Sequence, residues 1–97
     1  MSAYVIAEVT VNDATLFAEY GKGVPASIAA YGGKYLVRGG ATEPKEGGWE
    51  PKRMVVLEFP TMAQARKWYD SAEYKPLLAM RLNAANSRMI FVEGMPG

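Results

Sequence analysis

The sequence predicts a single α+β domain, four strands in one antiparallel sheet with helices on one face, in the ferredoxin-like order. Three observations predict it. The spacing of apolar residues changes along the chain between two and three-to-four, which gives the order β-α-β-β-α-α-β. The stretch RMVVLEFPTMAQARKWYDSAEY, Arg53 to Tyr74, runs from a largely apolar strand through a proline stop into a capped helix. Finally, 97 residues suffice for one core but leave a monomer with much of its surface unburied.

Ala3 to Val11 is the first strand, with Val5, Ala7, Val9 and Val11 on one side and Tyr4, Ile6, Glu8 and Thr10 on the other. Asn12 or Asp13 caps the helix that follows, in which Phe17, Tyr20, Val24, Ile28 and Tyr31 keep steps of three or four. Pro25 has no N–H to offer the carbonyl of Gly21, so a kink or break is expected there. Gly32-Gly33 supplies a left-handed turn, and Tyr35 to Arg38 forms a second strand ending in Gly39-Gly40. Residues 41–52, rich in proline, glycine and charge, make the one long loop, the kind of segment that is often functional or mobile.

Met54, Val55, Val56, Leu57 and Phe59 follow as a strand that Pro60 stops. Thr61 with Gln64 matches a capping box, and Ala65, Trp68, Tyr69 and Ala72 then share one helical face. Ser71 is placed to cap a further helix through Leu77, Leu78, Arg81 and Ala85, with Pro76 in its first turn. Asn86 to Glu93 is the last strand, with Met89 to Val92 its apolar run, and residues 94–97 form a tail. Right-handed crossovers are expected to set the first and third strands side by side and parallel, with the second and fourth outside them. The helices cover one face. The other face, with Ile6, Leu36, Met54, Val56 and Ile90 or Phe91, is too apolar for water, so back-to-back pairing with a second copy is expected.

Composition removes whole mechanisms. The chain has no cysteine and no histidine, which excludes Ser-His and Cys-His nucleophile pairs, a proximal-His haem and ordinary zinc sites within it. No acidic cluster suggests a metal, so neither metal nor cofactor is expected. Eleven basic and ten acidic residues leave a net charge of +1 with no basic run, and no nucleic-acid footprint follows from that. No apolar run approaches membrane-spanning length and the start has no signal-peptide pattern, so the expected compartment is the cytoplasm and no membrane partner is expected.

With the first and third strands read as parallel neighbours, Glu8 and Glu58 are expected side by side on the face away from the helices. Neighbouring carboxylates over an apolar surface repel, so one takes up a proton or a cation sits between them. Arg38, on the same face as Leu36, is the expected cation. The functional reading makes Glu8 or Glu58 a general acid/base and Arg38 the holder of an anionic or enolate-like oxygen. The structural reading is a satisfied ionic cluster at the barrel end or dimer seam. Arg81 falls on the apolar stripe of Tyr74, Leu77 and Leu78 and needs an acceptor, either within the protein or as a ligand carboxylate or phosphate. Arg53 and Arg88, at strand starts, are expected to be solvated or to contact a second copy. Tyr4, Tyr20, Tyr31 and Trp68 complete the candidate ligand contacts; Tyr20 and Tyr31 flank the mouth of a pocket, and Trp68 is also spaced for the core. Trp49, in the long loop, is expected over that mouth or against a second copy.

The segments YGGKYLVRGG (Tyr31 to Gly40), RMVVLEFP (Arg53 to Pro60) and KWYDSAEYKPLLAMR (Lys67 to Arg81), with FVEG near the end, resemble a bacterial family known as domain of unknown function number thirteen-thirty, within the dimeric α+β barrel superfamily. The resemblance covers nearly the whole chain. It implies a ferredoxin-like protomer whose sheet pairs with a second sheet around an inner cavity. Distant members of that superfamily include cofactor-free monooxygenases, lactone isomerases and haem enzymes, and the missing histidine disfavours the last. The expected function is thus a small-molecule-binding homodimer, as a cofactor-independent isomerase or monooxygenase-like enzyme; the alternative is a non-catalytic structural or regulatory dimer.

Overall fold

The computed structural model describes residues 1–96. Its elements follow in the order β1 (Ala3–Val11), α1 (Ala14–Ala30), β2 (Lys34–Arg38), β3 (Arg53–Phe59), α2 (Met62–Tyr69), α3 (Lys75–Ala84) and β4 (Ala85–Glu93). The sheet order is β2-β3-β1-β4, with every neighbouring pair antiparallel. This is the ferredoxin-like fold. One detail departs from expectation: β1 and β3 are antiparallel, not parallel. The crossover through α1 makes β1 and β2 parallel but leaves a gap one strand wide. The loop after β2 then reverses the chain, so β3 fills that gap antiparallel to both.

Local signals explain the element ends. Asp13 is the N-cap of α1, its carboxylate accepting from the Leu16 N–H at 3.0 Å, and Thr61 caps α2 by accepting from the Gln64 N–H at 3.1 Å. Gln64 completes only half of the expected capping box. Its side chain donates instead to the Tyr31 carbonyl at 3.1 Å and so ties α2 to the end of α1. Ser71 acts one turn before α3: its hydroxyl accepts from the Tyr74 N–H at 3.0 Å, and Pro76 lies in the first turn. Ala85, read as helical, is the first residue of β4, one residue before the expected start at Asn86, and the strand pairs along β1 up to Val11. Pro25 does not break α1, which runs continuously from Ala14 to Ala30.

The core lies between the sheet and the helices. Val5, Val24, Ile28, Leu57, Phe59, Ala65, Trp68 and Tyr74 form one buried cluster. Each large side chain among them contributes about 1.5–3 kcal/mol by leaving water. Trp68 is tied down further, its indole N–H donating to the Ser27 hydroxyl at 3.1 Å, with that hydroxyl in turn donating to the Val24 carbonyl at 2.8 Å. The molecule measures 33 × 32 × 16 Å, a thickness of one sheet and one helix layer. The second face of the sheet is therefore bare. It carries Ile6 opposite Val56 and Ile90, and Tyr4 opposite Val92, with Val37 paired to Val56 at the edge. Ile90 is 57% and Val92 39% exposed. Phe91 faces the core and packs edge-on against Tyr69, which leaves Ile90 as the outer residue.

Candidate functional site

A cavity of about 50 Å³ opens between the helix-covered side of the sheet and α1. Its floor is apolar, formed by Val5, Ala7, Val9, Val55, Leu57 and Trp68. Its polar groups come from Tyr20, Tyr35, Arg38, Arg53 and Arg81. No Asp or Glu lines it. The volume holds a few waters or one small molecule, since each ordered water needs roughly 10–15 Å³.

Alternation along the strands explains how each arginine reaches this side. Arg53 precedes Val55, Leu57 and Phe59 by two, four and six residues, so it shares their inward face. Its guanidinium lies 5.6 Å from the Phe17 ring centre, and its Nε is buried without a hydrogen-bond partner. The expectation that Arg53 is solvated or meets a second copy is corrected by that placement. The simple period-2 pattern carried the signal.

Arg38 required a different correction. Tyr35 pairs with Leu57 but Val37 pairs with Val56, so Leu36 is an extra residue, a β-bulge. One inserted residue reverses the side taken by everything after it. Arg38 consequently pairs with Val55 and faces the helices, not the outer face of Leu36 as simple alternation implied. There it stacks 4.7 Å from the Tyr35 ring centre and donates to the Gly21 carbonyl at 3.1 Å. That carbonyl is free because the residue four positions on is Pro25, which has no N–H. The helix proline and the strand arginine thus satisfy one another across the cavity.

Arg81 is 5% exposed, as its place on the apolar stripe of α3 predicted. Its acceptor is a phenol, not a carboxylate: Nε donates to the Tyr74 hydroxyl oxygen at 3.3 Å. Tyr74 and Tyr20 share a hydrogen bond of 2.8 Å between their hydroxyls. Burial, and then the neighbouring Tyr74, push the Tyr20 phenol far above its ordinary range; burial also raises Tyr35. Both stay protonated at any ordinary pH.

The remaining candidates lie elsewhere. Glu8 and Glu58 do share the outer face, but the antiparallel pairing sets Glu8 opposite Met54 and Glu58 opposite Tyr4. Four residues of extended chain, about 13 Å, therefore separate their levels. The expected carboxylate pair does not form, and Arg38 lies on the other side of the sheet from both. Glu8 binds Arg88 across β1 and β4 and accepts from the Lys52 N–H at 3.3 Å. Arg88 holds its carboxyl below the usual range, with the Lys52 N–H adding to the effect against partial desolvation. Glu58 pairs with Lys34 at 3.4 Å. Tyr4 is also on the outer face, opposite Glu58. Tyr31 lies at the end of α1, donating to Glu73 at 2.9 Å, and takes no part in the cavity. Trp49 does not cover the mouth; it borders a separate open depression with Pro44, Pro51 and Met54.

A family model described as "Domain of unknown function (DUF1330)" matches residues 2–95. The chain belongs to this family. No curated protein matches it. Among solved structures, the family member is similar to a protein of unknown function from Rhodopseudomonas palustris, at 17% identity and a TM-score of 0.75 over 99% of this chain and 84% of the other. It is similar to a dimeric ferredoxin-like protein of unknown function from Thermobifida fusca, at 16% identity and 0.66 over 97% and 92%. It is also similar to SnoaB, a cofactor-independent oxygenase from Streptomyces nogalater, at 13% identity and 0.60 over 99% and 95%. At these identities the likeness is one of fold.

Proposed function

We propose that this protein is a homodimer that binds a small organic anion in the cavity between its sheet and helices. One observation carries the reading: three guanidinium groups, of Arg38, Arg53 and Arg81, border an apolar cavity that no carboxylate among the described residues enters. Taking a guanidinium out of water is costly, and an unpaired buried charge is normally matched by an acceptor. Arg81 is buried with only a phenol oxygen as acceptor and Arg53 has a buried Nε with none, while the exposed Arg38 donates to a carbonyl, so among the described residues no carboxylate balances the buried charge. An anionic ligand completes the balance, and guanidiniums suit carboxylates by their paired, planar donors.

Such a site also supplies the charge that an enolate or phenolate oxygen needs as it develops. That makes cofactor-independent isomerase or oxygenase chemistry the enzymatic form of this proposal, in a fold shared with SnoaB. The cavity contributes charge and hydrogen-bond donors, and no Asp, Glu or Lys lines it to act as general base. Where proton abstraction is required, water or the substrate's own anion must perform it.

Titration with a carboxylate and its amide, benzoate against benzamide and propionate against propionamide, tests the reading by NMR. The expected outcome is binding of an acid and not of its amide, lost at least tenfold in Arg81→Met. Equal binding of acid and amide, or an unaffected Arg81→Met, would remove the proposal.

A further inference from the structure

Tyr20, Tyr74 and Arg81 form a chain of hydrogen bonds whose direction can be worked out. Arg81 Nε carries a fixed proton and can only donate, so the Tyr74 oxygen accepts from it. Between the two phenols, geometry alone allows either hydroxyl as the donor. Were Tyr20 to donate, the Tyr74 proton would be left without an acceptor in a fully buried side chain. An orphaned buried donor costs about 1–3 kcal/mol. Were Tyr74 to donate, the unspent proton would be that of Tyr20. Tyr20 borders the cavity, whereas Tyr74 does not. The chain therefore runs from Arg81 through Tyr74 to Tyr20 and ends on an O–H with no acceptor among the described residues.

We infer that Tyr20 is a hydrogen-bond donor to the bound ligand, polarised by Arg81 through Tyr74, and that the ligand is a carboxylic acid bearing a neighbouring oxo or enolate oxygen. This rests on the anion-binding reading of the cavity and names the ligand class more closely. The guanidiniums meet the carboxylate, and Tyr20 meets the second oxygen. A positively assisted donor is stronger than a plain phenol and favours an oxygen that carries or gains negative charge. The small cavity fits a short 2-oxo acid better than a large ring. Tyr20 is thus a ligand-contacting residue, and Tyr74 and Arg81 position and polarise it.

The experiment compares pyruvate with propionate, which differ in the oxo group, by NMR titration of wild type and Tyr20→Phe. Wild type is expected to prefer pyruvate by about three- to tenfold, the worth of one hydrogen bond. Tyr20→Phe is expected to lose that preference, binding the two acids within twofold of each other. A preference that persists in Tyr20→Phe overturns the donor role of Tyr20 and leaves the anion site standing. Binding of neither acid to wild type overturns both. Should the phenylalanine variant fail to fold, the wild-type ranking decides: propionate bound as tightly as pyruvate overturns the inference.

Discussion

At the scale of single residues, the arginines separate by what each can reach. Arg81 and Arg53 follow directly from periodicity, one on the apolar stripe of α3 and the other in step with Val55 and Leu57. Arg88 is different, because its guanidinium lies on the outer face, paired with Glu8. This pair has a definite pH signature. Glu8 has a folded pKa below its ordinary value of 4.5, chiefly through Arg88. Its contribution to stability is present in full above that ordinary value and is lost as pH falls through the lowered folded value. Arg88→Met is expected to melt below wild type near neutral pH, with the gap closing on strong acidification. Thermal melts of both proteins across pH check this, and a gap that stays constant into acid would contradict it. The pair is exposed on the arginine side and screened, so the effect is small.

Between elements, the contact that shapes the cavity mouth is the one from Arg38 on β2 to the Gly21 carbonyl on α1. It exists because Pro25 withholds the N–H that would otherwise take that carbonyl. The two positions should therefore couple. Pro25→Ala is expected to stabilise the protein by restoring the helix bond. In that background Arg38→Met should cost less than in wild type, with a coupling of about 0.5–1 kcal/mol. A double-mutant cycle in urea measures it, and additive effects would show that Arg38 and the helix carbonyl are not competing partners. Sequence reasoning located the free carbonyl from Pro25 alone. It placed Arg38 on the wrong side of the sheet, because a bulge at Leu36 leaves no mark in the run YLVR that distinguishes it from a regular strand.

On the scale of the whole molecule, the dominant feature is the bare face of the sheet. Its centre is apolar, around Ile6, Val56, Ile90 and Val92, while the Glu8–Arg88 and Lys34–Glu58 pairs lie at opposite ends. A face of this kind is unfavourable in water and well suited to a second copy. Ile90→Lys, in the middle of the band, is expected to convert a dimer into a monomer while leaving the helix-side cavity intact. Light scattering after size exclusion reads the outcome. A wild type that is monomeric at tens of micromolar would dispose of the paired-sheet arrangement, though not of the cavity.

The element order, the helix caps at Asp13 and Thr61, the inward faces of β1 and β3 and the burial of Arg81 were all determined by the sequence. These depend on spacing within one element or on a side chain bonding its own backbone three residues away. Tertiary structure decided which elements meet and at what register. It turned β3 antiparallel to β1, parted Glu8 from Glu58, and used one extra residue in β2 to bring Arg38 beside Arg53 and Arg81. Those outcomes hang on pairing between segments distant in the chain, where a single-residue slip exchanges one face for the other and no local pattern records the choice.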